Sequence, residues 1–292
     1  MKKKILFIIN PISGWRNKFF IEKKILTTLS LDLFLPSFKT TKNRGDAAIF
    51  AKEAVVKKFY CVVAVGGDGT INEISSALIS SSTKLGIIPM GSGNGFASYF
   101  KIYSNLTKSV KILNKLNHTK IDACFINKKL FLNLAGLGFS SKIARKTHSF
   151  KKRGVWIYFI NIFKEFFHYT SKTYTLVIDK NKRIIKEFFI LEFANASIWG
   201  KGVNIAPLAN PSDGKIEVCG VTSFHFWEIP YLLFLSITKG INKSAYYVRF
   251  EAKEVEVLSS HSTAHVDGES INIKSPIKVT IKKNAISLLV PK

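Results

Sequence analysis

Val62 to Glu73 reads VVAVGGDGTINE, and the reading of this stretch decides the fold. Cys61 to Val65 is a short, β-branched apolar run, the pattern of a buried strand. Gly66, Gly67, Asp68 and Gly69 follow as a turn, and Thr70 is expected to cap a helix from Ile71 to about Leu78. A strand, a glycine turn and a helix start together make an anion site. Glycines let the backbone approach a phosphate closely, and a helix N-terminus turns N–H groups and partial positive charge toward it. A carboxylate beside a phosphate repels it unless it serves a magnesium ion or the attacking group, and Asp68 is read in that role. A plain glycine-rich βα turn explains the same letters, so the rest of the chain has to decide.

The same alternation repeats on both sides. Lys4 to Ile9 reads as a strand that ends in Asn10-Pro11-Ile12-Ser13-Gly14, and Phe19 to Leu29 has helical spacing. Leu33 to Phe38 reads as a strand ending at Thr40-Thr41-Lys42, and Gly45 to Lys58 as a helix with Ala48, Ala51, Ala54 and Val55 inward. Leu85 to Ile88 precedes the turn Pro89 to Asn94, which opens a short helix to about Phe100. Strands alternating with helices predict an α/β domain with a parallel sheet. In such a sheet the strand ends gather on one edge. Asn10 to Gly14, Thr41 with Gly45, Gly66 to Thr70, and Gly91 to Asn94 would then form one nucleotide site. The chain has no GxxxxGK[ST] and no GxGxxG after its first strand, so neither a P-loop nor a dinucleotide fold is indicated.

From Ile121 the pattern changes to short strands: Ala123 to Ile126, Leu130 to Ala135, Tyr174 to Ile178, Arg183 to Phe193, Lys215 to Val221, Glu254 to Leu258, Ile271 to Ile273 and Ile277 to Ile281. They predict an antiparallel β domain, a sandwich. Two helix-like inserts, Val155 to Tyr169 and Phe224 to Thr238, interrupt it. The expected division is 1–122 for the α/β domain and 123–283 for the β domain, with a final strand at about 284–292 returning to the first.

Lys and Arg number 44 against 19 Asp and Glu, a net charge of +25 over 292 residues, which favours an anionic partner. The basic residues are dispersed and no nucleic-acid motif is visible, so nucleic acid is not the expected partner. Cys61, Cys124 and Cys219 lie far apart in apolar surroundings, with neither a disulfide framework nor a zinc pattern, as suits a reducing cytoplasm. The start MKKKILFIIN is basic then apolar, but its apolar run is too short for a signal peptide. No stretch has the ~18 uninterrupted apolar residues of a spanning helix, so the expectation is a soluble or peripheral protein.

NPISG at Asn10, GGDGTINE at Gly66, IPMGSGNGFA at Ile88 and VDGE at Val266 occur in that order along nearly the whole chain. Together they resemble the diacylglycerol kinase catalytic-domain family, which includes bacterial lipid kinases, sphingosine kinases and ceramide kinases. GGDGT alone is shared with NAD kinases; GGDGT followed by GSGN and DGE is more specific. The resemblance implies an NAD kinase-like α/β domain with a β-sandwich, and transfer of the γ-phosphoryl group of ATP to a lipid hydroxyl with Mg2+ as cofactor. It implies that Asn10, Thr41, Gly66, Gly67, Asp68, Gly69, Thr70, Ser92, Gly93 and Asn94 surround the nucleotide. Ser92 stands where many bacterial members carry threonine, and Gly95 where many carry aspartate. Asp267 and Glu269 would be the essential acids, with Glu269 as proton acceptor; Asp68 is the other candidate for that role.

Phosphoryl transfer needs positioning, metal charge and a group to take the hydroxyl proton, and carboxylates serve the last two. Asp267 and Glu269 would share one face of a strand, but across a hairpin turn they need not. Asn210-Pro211-Ser212-Asp213-Gly214-Lys215 resembles the family's structural magnesium loop, in which one aspartate side chain and neighbouring carbonyls hold a metal, here Asp213 with Asn210 and Lys215. A simple Ser-Asp-Gly turn is the alternative. The basic run Lys142 to Arg153, followed by GVWIYFINIFKEFFHY, suits contact with anionic lipid at the inner face of the membrane. FHFWEIPYLLFL is aromatic in the same way. Buried core helices, or a lining for the lipid chains, are the other readings of both segments. Two other functions compete: an NAD kinase-like small-molecule kinase, and a non-catalytic anion-binding protein. The acceptor lipid is left open, as is a homodimer.

Overall fold

The computed structural model describes residues 1–14, 17–147, 164–200, 202–259 and 263–291. The chain divides into two compact units, Met1–Ala123 with Lys283–Lys292, and Cys124–Lys282.

The first unit runs β1 (Lys3–Ile9), α1 (Lys18–Thr28), β2 (Phe34–Thr40), α2 (Asp46–Val56), β3 (Cys61–Gly66), α3 (Asp68–Leu78), β4 (Lys84–Pro89), α4 (Gly95–Tyr99) and α5 (Leu106–Lys115). Its strands lie in the order β2-β1-β3-β4, all parallel. Every residue of β3 is buried, as expected where helices cover both faces of a parallel sheet. Phe7, Ile9, Val63 and Val65 pack with Ile21 and Ile25 of α1 and with Val110 and Leu113 of α5. Helix α5 has no counterpart in the reading of the sequence, although Leu106, Val110 and Leu113 recur at helical spacing and Asn105 caps it by accepting from the Lys108 N–H.

One expectation is corrected at α3. The helix starts at Asp68, and its cap position is Gly67, in extended conformation. Thr70 therefore lies inside the first turn and does not cap. Ile71, Ile74, Ser75 and Leu78 form the buried face, on the expected spacing.

The second unit takes in the end of β5 (His118–Ile126), then β6 (Lys129–Phe131), β7 (Leu134–Gly138), α6 (Phe139–Thr147), β8 (Lys172–Ile178), β9 (Lys182–Phe188), β10 (Ile190–Ala194), β11 (Ile198–Gly200), β12 (Val203–Asn204), β13 (Ile216–Val221), α7 (Ile229–Ile237), β14 (Tyr247–Ala252), β15 (Glu254–Leu258), β16 (Thr263–Val266), β17 (Glu269–Asn272) and the first half of β18 (Ile277–Leu289). The later half of β18 belongs to the first unit, where Leu288 pairs in parallel with Leu85 of β4. Six strands form one antiparallel sheet in the order β14-β13-β10-β7-β16-β17. Strands β15, β8 and β9 pair antiparallel beside the start of β18. Leu191, Phe193, Ile216 and Val218 of the first set share a core with Tyr174, Leu176, Val255, Val257 and Val279 of the second, which makes a sandwich.

Two expected strands each divide in two. Arg183 to Phe193 breaks at Phe189, whose N–H donates to the Val221 carbonyl and whose carbonyl accepts from the Phe139 N–H. The ring of Phe189 packs with Phe139 and Ile143 instead of continuing the ladder. Leu130 to Ala135 breaks at Leu132 and Asn133, where a distant carboxylate takes the backbone N–H groups. Of the insert expected at Val155 to Tyr169, residues 155–163 lie outside the described residues, as do 148–153 of the basic run. The insert at Phe224 to Thr238 forms a 3-10 turn, Phe226–Glu228, followed by α7. Strands β11, β12, β14 and β16 were not anticipated.

Candidate active site

In the first unit the four expected turns follow the carboxyl ends of β1 to β4, the edge where open α/β sheets place ligands. Side chains hold these turns to one another. Asn10 donates through Nδ2 to the Thr70 hydroxyl at 3.1 Å, and its Oδ1 accepts the Ile12 N–H. Thr70 thus ties the end of β1 to the first turn of α3. Thr41 is buried, and its N–H donates to the Ile9 carbonyl at 3.0 Å. The Asp68 carboxylate accepts the Gly95 N–H at 3.4 Å, linking the third turn to the fourth. Asn94 is buried in the left-handed region at φ 52°. Its side chain accepts the Gly91 N–H and donates to the Gly91 carbonyl and the Ser104 hydroxyl.

Glycine is required where the turns meet. A Cβ on Gly91 would lie 2.6 Å from Gly67 Cα, and one on Gly66 would lie 2.6 Å from the Thr70 hydroxyl. The edge is therefore lined by peptide groups, with Gly69, Ser92 and Gly93 exposed along it. Glu73 adds a contact that the sequence did not suggest: its carboxylate accepts the N–H of Gly45, the residue that opens α2. Asp46 accepts the N–H groups of Asn43 and Lys42, which hold its carboxyl below the usual range.

In the second unit Asp267 and Gly268 form the turn between β16 and β17, both at positive φ (48° and 87°). A two-residue hairpin calls for this geometry, and Asp and Gly tolerate it. The Asp267 carboxylate does not point away into water. It accepts the N–H groups of Leu132 at 3.1 Å, Asn133 at 2.9 Å and Leu134 at 3.1 Å, and the Asp267 N–H donates to the Leu134 carbonyl. Three N–H groups on one carboxylate fix the hairpin against the start of β7. Glu269 is half-buried on β17, opposite Val266.

Beneath the hairpin lies a pair that sequence reasoning missed. His265, Gly136 and Glu192 face one another across β16, β7 and β10. His265 Nε2 lies 3.0 Å from the Glu192 carboxylate, and both residues are buried. A Cβ on Gly136 would lie 2.3 Å from a Glu192 oxygen, so only glycine lets the two side chains meet across the middle strand. Burial pulls the His265 pKa down, but the charge and hydrogen bond of Glu192 outweigh it, and Asp267 adds to them, leaving it above its ordinary value. The available signal was a lone acid in the apolar run Phe188 to Ala194.

The Asn210 to Lys215 loop closes on itself. Asp213 Oδ1 accepts the Lys215 N–H at 2.8 Å, Asn210 Oδ1 accepts the Ser212 N–H, and the Lys215 ammonium pairs with Glu251. One carboxylate, partly used and beside a lysine, is a poor start for a magnesium cage, so the geometry favours the turn reading. Among the described residues no group of three or more His, Cys, Asp or Glu side chains is placed to hold a metal ion. No helix among them is long and apolar enough to cross a membrane.

Two family models match the chain. The diacylglycerol kinase catalytic domain matches residues 4–126, and the YegS C-terminal NAD kinase beta sandwich-like domain matches residues 134–290. The diacylglycerol kinase of Staphylococcus haemolyticus is 27% identical, over 97% of this chain and 90% of that protein. That of Staphylococcus carnosus is 25% identical, over 97% of each chain. Two solved structures from Bacillus anthracis superpose with TM-scores of 0.83 and 0.75, at 22% and 20% identity, each over 99% of this chain and 97% of its own; the second is described as that of a diacylglycerol kinase. At that identity the structural likeness speaks to the fold.

Proposed function

This chain belongs to the diacylglycerol kinase catalytic-domain family, and from that premise we propose that it transfers the γ-phosphoryl group of ATP to the hydroxyl of a lipid of diacylglycerol or sphingoid type. The observation that carries the reading is the peptide-lined edge of the first unit, where Asn10 and Asp68 tie the first, third and fourth turns together and Glu73 holds the second at Gly45.

The residues present suit a nucleotide that brings its own metal. The close approach of Gly67 and Gly91, neither with a side chain, lets a phosphate come up against the backbone of this edge. Magnesium is usually held by one or two carboxylates together with substrate phosphates, and Asp68 supplies one carboxylate on this edge. When bound, the ion neutralises charge on the transferring phosphoryl group. Gly66 to Thr70 and Ser92 to Asn94 hold the phosphates, while Asn10 and Thr41 frame the nucleotide. Glu269 takes the proton of the attacking hydroxyl. Asp267, with its oxygens engaged by three N–H groups, positions the hairpin that carries Glu269 and does not itself move the proton.

Helix α7 supports a peripheral contact with an anionic membrane surface. It is almost wholly apolar yet buries only Leu232 and Ser236; Phe234 and Ile237 on it, and Trp227 in the 3-10 turn before it, are each 62% exposed. Aromatic and aliphatic side chains of this kind seat in a lipid interface beside basic residues.

The test is transfer of labelled phosphate from ATP, with magnesium, to a panel of diacylglycerol, sphingosine, ceramide, phosphatidylglycerol and NAD. Label in one lipid, lost in Asp68→Ala, is the expected result. Label in NAD alone would move the protein to small-molecule kinase chemistry.

A further inference from the structure

A second group of cations, well away in sequence from the turns described above, surrounds a small cavity in the second unit. Lys142, Arg145 and Lys146 lie three and four residues apart on α6, so they share one face of the helix. Lys172 reaches the same place from the start of β8. The cavity has a volume of about 100 Å³ and is lined by Lys142, Arg145 and Lys172 with Gly138, Ser141, Tyr169 and Thr263.

The charges there do not balance. Lys142 pairs with Glu165 at 2.9 Å, and Lys146 pairs with the other oxygen of the same carboxylate. Among the described residues Glu165 is the one carboxylate paired with this group, so four cations face one anion. Lys142 and Lys172 both lie against the Tyr169 ring, their ammonium groups 5.6 Å and 5.8 Å from its centre. One ring face or edge cannot neutralise two full charges. Burial, and then the charge of Lys142, hold the Lys172 pKa below its ordinary value. Burial also pushes the Tyr169 hydroxyl up to about 12, so it stays protonated and able to donate. Gly138 keeps this side open: at φ 85°, a Cβ there would stand 2.7 Å from the Phe189 carbonyl and 3.3 Å from the Tyr169 hydroxyl. Crowding like charges around a partly desolvated cavity is costly until an anion enters.

We propose that the cavity bounded by Lys142, Arg145, Tyr169 and Lys172 is a phosphate site, taking either the phosphate of an anionic phospholipid or a free phosphomonoester. A lysine ammonium serves as a point charge for a phosphate oxygen and the arginine guanidinium as a two-pronged donor. Helix α6 packs against β16 and β17, so the site lies on the element that supports the hairpin carrying Glu269. The lipid source rests on the lipid-kinase reading; the phosphate chemistry does not.

The test uses the full-length protein without ATP. Wild type, Arg145→Gln, Lys172→Gln and Lys172→Arg are titrated calorimetrically with inorganic phosphate. They are also floated with phosphatidylcholine vesicles, with and without phosphatidylglycerol. Arg145 is exposed, so its replacement leaves the fold intact. Each Gln variant is expected to weaken binding by about tenfold, with Lys172→Arg restoring most of it. Weakened binding of inorganic phosphate marks a free phosphomonoester. Weakening confined to phosphatidylglycerol vesicles marks the lipid headgroup. Equal binding of both probes by wild type and both Gln variants overturns the site. Since neither readout needs turnover, a protein that binds here yet phosphorylates no lipid would separate this proposal from the kinase reading.

Discussion

The turns of the first unit and the hairpin of the second use their polar side chains differently. In the first unit Asn10, Thr70 and Asp68 bond to neighbouring turns of the same sheet edge, Asn94 braces its own turn, and what they leave exposed is backbone. In the second unit Asp267 is spent on three N–H groups about 135 positions away in sequence, and Glu269 stands two residues on. The contrast teaches that a motif acid is not thereby a chemical group. Asp267 and Glu269 flank Gly268 in VDGE, yet Asp267 is a structural anchor, and the proposed proton transfer is assigned to Glu269 alone.

Breaking the support under the hairpin has the largest expected effect on stability. His265→Gln leaves Glu192 as an uncompensated buried charge and is expected to cost about 3–5 kcal/mol. The effect depends on pH. The folded His265 pKa lies above its ordinary value of 6.5, so the stability from its charge is present in full below that value. It is lost as pH rises through the folded value. The melting gap between wild type and His265→Gln should therefore narrow as pH is raised above about 6.5. A gap that widens would contradict the pair as described.

Asp267→Asn comes next. Asparagine tolerates the left-handed turn, so the backbone is kept while the ionic acceptor of three N–H groups is weakened. The expected cost is about 1–3 kcal/mol in chemical denaturation, with any loss of activity following the loss of folded protein. The smallest effect belongs to the first unit. Asn10→Ala removes one hydrogen bond to Thr70 and should cost about 1 kcal/mol, while raising KM for ATP more than it lowers kcat. If Asn10→Ala proved the more damaging to stability, the contrast between the two regions would be reversed.

The first unit was largely legible in the sequence because its signals are local. Each strand, turn and helix start occupies a few consecutive residues, and the glycine positions follow from turn geometry. Thr70 shows the limit. A threonine after GGDG looks like a cap, but an extended Gly67 lets the helix start earlier, and the hydroxyl bonds to Asn10 instead. The second unit was legible as a β domain and much less so in detail. Asp267 bonds to residues 132–134, and Glu192 meets His265 through the gap at Gly136, contacts that no window of neighbouring residues contains. The split strands have the same cause, since Phe189 and Asn133 bond to distant backbone.

The most direct measurement is the rate of labelled phosphate transfer from ATP to a lipid acceptor, compared between wild type and Glu269→Gln at equal folded fraction. If Glu269 takes the hydroxyl proton, transfer falls by about 10²–10⁴-fold while ATP binding and the melting temperature stay as in wild type. Transfer by Glu269→Gln at the wild-type rate would contradict the account and pass the proton to Asp68.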